Sequence, residues 1–574
     1  MAIAGATVLW GALAIVFDYG YDLNDDVMIK DILSGIYTGI PDAHNNQMLY
    51  PVSILIAGLY RMTDRVAWFG LIEIICMAGS FVITAGRLTS LVMKWAGGSK
   101  EADSDKGRNV TGLMAGITCM IFMIIIYAGL MLWELINVQY TVVAGMLTAA
   151  AAVWLYTGDP VGSHKENGEA VRATYTEMSL FVKKNIPAII LVTLAFNIRS
   201  ELVLLLSPFL AAVAVGKWIE EERRKDAFVT CGYLAVFLSI CLLMLVSLGA
   251  DGIAYSSPGW KEYRRFFDAR TEVYDFTGIP DYDENADFYE SAGITRKQYD
   301  LLVDYDYFLD ESIDADMLTT IAEGVKSGKA AGRSTYGKGV REAVWEYVHN
   351  AADISSRVMS TDIAQDHLFA DEAGQHAGFN VTVIILYLAL IAMGVMKTDA
   401  SMLLKIPVFW ILRSIPWIYV YLQGRVLSRI THPLYMLEVL ILLAMLINGA
   451  GKANTNERGE RLCRALIPAA TCFIAIVCIL LLPVRFKYVS LSTADRSEAN
   501  ISYEKMMERI SADPDTYYYL DTYMTVDWTE KIFTDSHISK KNMQLLGGWM
   551  GNSPLDTAKK SAYGDCEVIL TNND

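Results

Sequence analysis

Apolar runs of about 20 residues, such as "VAWFGLIEIICMAGSFVITAG" at 66–86, alternate with charged stretches along most of this chain. A run of that length spans the hydrocarbon core as a helix, which satisfies its backbone polar groups internally where no water can. Hydrophobic residues make up 53% of the 574 positions, and the periodicity predicts eleven spans, at 2–17, 66–93, 110–132, 141–157, 185–198, 202–217, 227–249, 379–396, 402–421, 433–448 and 464–482. The segments 185–198 and 202–217 are short for crossing alone. The expected fold is therefore all-α and polytopic. The opening "MAIAGATVLWGALAIVF" lacks a basic leader region and a clean cleavage site, so it reads as a retained first span.

Short loops rich in Lys and Arg stay cytoplasmic. One alternate set of loops is basic, with Lys94, Lys100, Lys106 and Arg108 in the first and Arg223, Arg224 and Lys225 in another. The opposite set holds Lys30 and, in "WELINVQY", no base at all. This places the N-terminus in the cytoplasm and the C-terminus outside, in a multi-pass plasma-membrane protein. Residues 1–249 and 379–482 form the membrane region, with a first outer loop at 18–65. Outside lie an acidic, mainly helical insertion at 250–378 and a small α/β tail at 483–574. A net charge of −16 excludes nucleic acid as a partner. Seven of the eight cysteines fall in or beside apolar runs, which leaves no disulfide framework.

Between Asp268 and Asp316 stand 15 acidic residues against three basic ones, interleaved with aromatics, as in a folded acidic domain. "DYDENADFYESA" spaces its acids like a calcium loop, but Ala286 and Ala292 occupy the positions that need Gly and Glu, so a solvated acidic face is the simpler reading. The pentapeptide "TGIPD" occurs at 38–42 and again at 277–281, and turn chemistry explains it.

Chemistry concentrates at a few places. Asp25 and Asp26 follow the first span in "NDDVMIKDILSG". Asn24 or Asp25 is expected to cap a helix there, with Asp26 pairing Lys30 one turn on. A helix start needs one carboxylate and not two, so the second is a candidate general base. Behind it, "HNNQMLYPVSILIAGLYRM" has helical apolar spacing, is too short to span, and reads as an interfacial helix. His44 precedes that helix as a structural, donor or ligand residue. Arg199 and Glu201 interrupt the apolar stretch "LAFNIRSELVLLLSPF", and ionisable groups at membrane depth point either to function or to a local ion pair at a turn. Arg425 and Arg429 lie outside, with no acid between Leu422 and Leu437, so they fit a lipid-linked phosphate or snorkel to headgroups. Arg413 and Glu438 are expected to form a structural pair within the spans. Phosphate-binding loops, nucleophile elbows and dinucleotide fingerprints are all missing from the sequence.

An early outer acidic pair, an interfacial helix and outer arginines together resemble the GT-C superfamily, polytopic glycosyltransferases that use polyprenyl-phosphate sugars on the outer membrane face. "NDDVMIKDILSGIYTGIPDAH", "VQYTVVAG", "FNIRSE", "LQGRVLSR" and "LLGGWMGNSP" further resemble a group of bacterial multi-pass proteins. The resemblance implies a GT-C-like fold in which Asp25 or Asp26 deprotonates an acceptor hydroxyl of a cell-envelope glycan or lipid. Arg425, with Arg199 or Arg429, would hold the departing lipid phosphate, and His44 and Glu201 would line the site. Some members of the superfamily place a divalent metal at the acidic pair. Two other classes share this membrane appearance: a transporter or flippase of polysaccharide intermediates, and a non-catalytic envelope scaffold.

Overall fold

The computed structural model describes residues 1–97, 105–161, 165–166, 169–170, 173–221, 224–332, 339–352, 376–397, 399–451, 457–526, 528–533 and 538–563. Among them, nine helices are long and apolar enough to cross a membrane, or ten if one bent pair counts as a span. This is the pattern of a multi-pass membrane protein, largely helical, and the β sheets among the described residues are two-stranded.

Several elements depart from the eleven expected spans. The Ala2–Val16 helix has 15 residues and is apolar but short. Ile186–Ile198 joins Tyr175–Lys184 at a 45° bend, so the expected 185–198 span is the second limb of a broken helix. Ser200–Glu220 is a full 21-residue span, longer than the expected 202–217 because Ser200 and Glu201 at one end and Trp218, Ile219 and Glu220 at the other remain helical. The last apolar run does not stop at Pro483. It continues as one 56-residue helix, Glu457–Ala512, because the following "STADRSEANISYEKMMERI" is rich in helix formers.

The most buried helices, Tyr140–Thr157 and Ser428–Gly451, form the centre of the bundle. Small residues let the chains close up: a Cβ on Gly145 would stand 2.3 Å from Pro433 Cβ. Arg413 and Glu438 pair in the core at 2.7 Å, with Tyr347 and Tyr387 completing their hydrogen bonds, as a structural pair should.

The 250–378 segment builds short helices (Pro258–Thr271, Ala286–Ala292, Arg296–Val303 and Ala315–Lys326) around their own core of Tyr289, Leu302, Tyr307, Leu318 and Ile321, while its Val340–Ala352 helix joins the main core through Ala343 and Tyr347. In the calcium-like stretch, Asp281 accepts the amides of Asp283 and Glu284, and Asp283 pairs with Arg296 at 2.7 Å. The two "TGIPD" copies differ in setting, the first lying in a loop and the second ending the Glu272–Thr277 π-helix, but in both the glycine redirects the chain: Gly39 and Gly278 hold φ of +91° and +73°, positive values that glycine enters freely. In the tail, Tyr518–Leu520 and Met543–Leu545 pair in parallel and the helix Pro554–Ser561 follows, while "CEVIL" lies outside the described residues.

Candidate functional site

The Asn24–Ser34 helix carries the acidic pair. Its N-cap is Leu23, in extended conformation, and not Asn24 or Asp25 as expected. Leu23 has no side-chain oxygen with which to cap, and Asp26, at the third helical position, reaches back and accepts the Leu23 amide at 3.2 Å. The other Asp26 oxygen accepts the Tyr140 amide at 3.1 Å, tying this helix to the start of a central span. Asp26 is fully buried, and burial pushes its carboxyl well above the usual range, an effect the two amides oppose. Lys30 does not pair with Asp26. Its ammonium meets Asp31 at 2.6 Å and also contacts Glu530.

That contact belongs to a clamp between the first loop and the tail. Lys540 joins the same acids, at 2.6 Å from Asp31 and 3.2 Å from Glu530. The backbones are stitched as well: the Tyr21 amide donates to the Glu530 carbonyl at 2.9 Å, and the Lys540 amide to that of Ile36 at 3.0 Å. Burial would raise the Glu530 carboxyl, but Lys30 and Lys540 outweigh it and hold it down at about 2. A second docking point lies along the tail, where Tyr37 donates its hydroxyl to Asp556.

Between clamp and docking point the tail, the Asn24–Ser34 helix and the 250–378 segment enclose a cavity of about 310 Å³. Its wall includes the rings of Tyr37, Tyr274, Tyr305, Trp528 and Trp549. Asp25 stands half-buried on this wall and accepts the Trp549 indole N–H at 2.9 Å. Trp549 is placed there by glycines on either side. A Cβ on Gly547 would stand 1.9 Å from the Tyr305 carbonyl oxygen, and one on Gly551 would stand 1.6 Å from Phe308.

Arg199 lies at the break between two helices, in extended conformation, and pairs with Glu201 at 3.2 Å. It also donates to Gln47 Oε1 at 2.8 Å, the oxygen that accepts the Tyr140 hydroxyl at 3.2 Å. Its charge interacts with Asp25 and Asp275. Arg425 pairs with Asp275 at 3.0 Å. Arg429 is half-buried, feels Asp22 and Tyr140 electrostatically, and has no hydrogen bond or ion pair among the described residues. Asp25, Arg199, Arg425 and Arg429 thus form one electrostatic neighbourhood around Tyr140 and Asp275. None of the three arginines lines the 310 Å³ cavity, so Asp25 stands between that cavity and the cationic group.

His44 instead fills an aromatic box. It binds Asp42 at 2.7 Å and stacks on Trp260 at 4.7 Å, with Tyr50 and Tyr255 beside it. It anchors the Tyr50–Met62 helix, and the residue of its loop that reaches the arginines is Gln47. Both Asp26 oxygens already accept N–H groups, and no cluster of three metal-ligating side chains occurs among the described residues. Sequence reasoning missed Gln47, Tyr140, Trp549 and Lys559. Only Trp549 carried a local signal, its flanking glycines. Compared with protein-family models, with curated proteins and with solved structures, the chain matches none.

Proposed function

We propose that the protein is a GT-C-type membrane glycosyltransferase that moves a sugar from a polyprenyl-phosphate donor to a cell-envelope acceptor on the outer face of the membrane. Asp25 is the general base. The observation that carries this reading is the contrast within the acidic pair. Asp26 is sealed onto two backbone amides, whereas Asp25 faces an aromatic cavity, holds one indole hydrogen bond and interacts with Arg199. In the reaction Asp25 takes the proton of an acceptor hydroxyl, and that oxygen bonds to sugar C1 as the bond from C1 to the phosphate oxygen breaks. The departing lipid phosphate is met by guanidinium groups, whose forks match its oxygens. Arg429 is the best placed of the three, since Arg199 and Arg425 already hold Glu201 and Asp275.

The test compares envelope glycans of a deletion strain rescued with wild type, Asp25→Asn or Asp26→Asn. Asp25→Asn is expected to abolish rescue while the protein accumulates normally. Asp26→Asn is expected to lower stability by about 1–3 kcal/mol, because an amide N–H₂ then opposes a backbone donor. Full rescue by Asp25→Asn would overturn the assignment.

A further inference from the structure

The aromatic cavity contains hydrogen-bonding capacity that the protein does not use. Three wall atoms are buried without a partner among the described residues: Lys559 Nζ, Arg270 Nε and Thr522 Oγ1. Two are obligate donors and the third is a hydroxyl able to donate. A fourth wall atom, Asp31 Oδ1, forms no hydrogen bond but meets the Lys30 ammonium at 2.6 Å. Asp25, Asp31 and Asp556 also line the wall, so what is missing is an acceptor within reach of those three donors.

Lys559 is the sharpest case. It is 4% exposed, its ammonium lies 3.7 Å above the Tyr37 ring, and its nearest carboxylate oxygen, on Asp556, is 3.9 Å away. That is beyond hydrogen-bond reach, and Asp556 is already engaged by Tyr37. A buried cation without a hydrogen bond costs stability, so it marks a place where a ligand supplies the missing acceptor. Arg270 lines the same cavity, where its guanidinium also hydrogen-bonds Tyr307 and leaves Nε open. The wall also carries the rings of Tyr37, Tyr274, Tyr305, Tyr503, Tyr523, Trp528 and Trp549, flat apolar faces with polar edges of the kind that pack on the face of a sugar.

We infer that this cavity binds a saccharide unit bearing an anionic group, with Lys559 and Arg270 meeting the anion and the aromatic wall taking the ring. The inference rests on the glycosyltransferase reading only in giving that saccharide the part of acceptor, held beside Asp25. Burial lowers the Lys559 ammonium to about 8, with Asp556 and Asp31 opposing and Lys540 adding to the shift. Affinity for the anion therefore falls as pH rises past 8.

The experiment titrates the purified full chain in detergent with methyl glucuronide, glucose 6-phosphate and methyl glucoside, reading the part of the intrinsic fluorescence change that is lost in Trp528→Phe or Trp549→Phe. At least one charged sugar is expected to bind ten-fold or more tighter than the glucoside, and the two charged arms separate carboxylate from phosphate. Lys559→Gln should remove the preference and Lys559→Arg should retain it. Equal affinity for all three sugars, no binding of any, or a preference intact in Lys559→Gln would overturn the inference. Asp25→Asn separates the two readings, since it should keep charged-sugar binding while losing transfer.

Discussion

Lys540 and Lys559 are buried to nearly the same degree, 6% and 4% exposed, and both belong to the tail that closes over the Asn24–Ser34 helix. Lys540 sits between Asp31 and Glu530 at hydrogen-bond distance from both, and although burial alone would lower it, Asp31 and Glu530 raise it well above its ordinary value. Lys559 has no acceptor within reach, and burial prevails. Equal burial therefore says little about what a charge is for. A charge closed by partners builds the fold, and a charge left open beside a cavity waits for a ligand.

Three measurements press on that contrast. Lys540→Met strands two buried acids against Lys30 alone and should cost about 3–5 kcal/mol, read as thermal unfolding by tryptophan fluorescence. A cost under about 1 kcal/mol would erase the distinction between the two lysines. Next comes acid. Glu530 is held down at about 2 in the folded chain and titrates near the ordinary glutamate value when unfolded. Its contribution, about 3 kcal/mol, is fully present above the unfolded value near pH 4.5 and is lost as pH falls toward 2. Unfolding profiles that stay flat through that window would show that the clamp is not a charge device. The smallest effect is expected for Lys559→Met, whose stability should stay within about 1 kcal/mol of wild type because no hydrogen bond is broken. A loss as large as that of Lys540→Met would make Lys559 structural and remove the ground for ligand binding.

The membrane character was legible because apolar length is a local property of sequence. So was the pairing of Arg413 with Glu438, two ionisable residues on consecutive apolar helices. The exact start of the Asn24–Ser34 helix was not, since Leu23 is a poor cap by residue type and serves only because Asp26 reaches back to its amide. Lys30 looked like the partner of Asp26 by helical spacing, and the tail outcompeted that pairing. Nothing in "WTEKIF" or "HISKKNMQ" announces that Glu530 and Lys540 will meet Asp31, because such partners are chosen by tertiary packing. The candidate site divides the same way. Asp25 and the arginines were readable as misplaced charges near apolar runs, while Gln47 and Tyr140, which join them, are ordinary residues in ordinary positions.

Lys30 and Glu530 are 500 positions apart. At roughly 5–20 residues per second of synthesis, on the order of 25–100 s separate the emergence of the two. Throughout that interval the acidic pair exists without its clamp, and the cavity lacks Trp549 and Lys559. The cavity is therefore completed long after its first wall is made, and a ribosome that stops before Trp549 leaves a bundle with its carboxylates in place and that wall open.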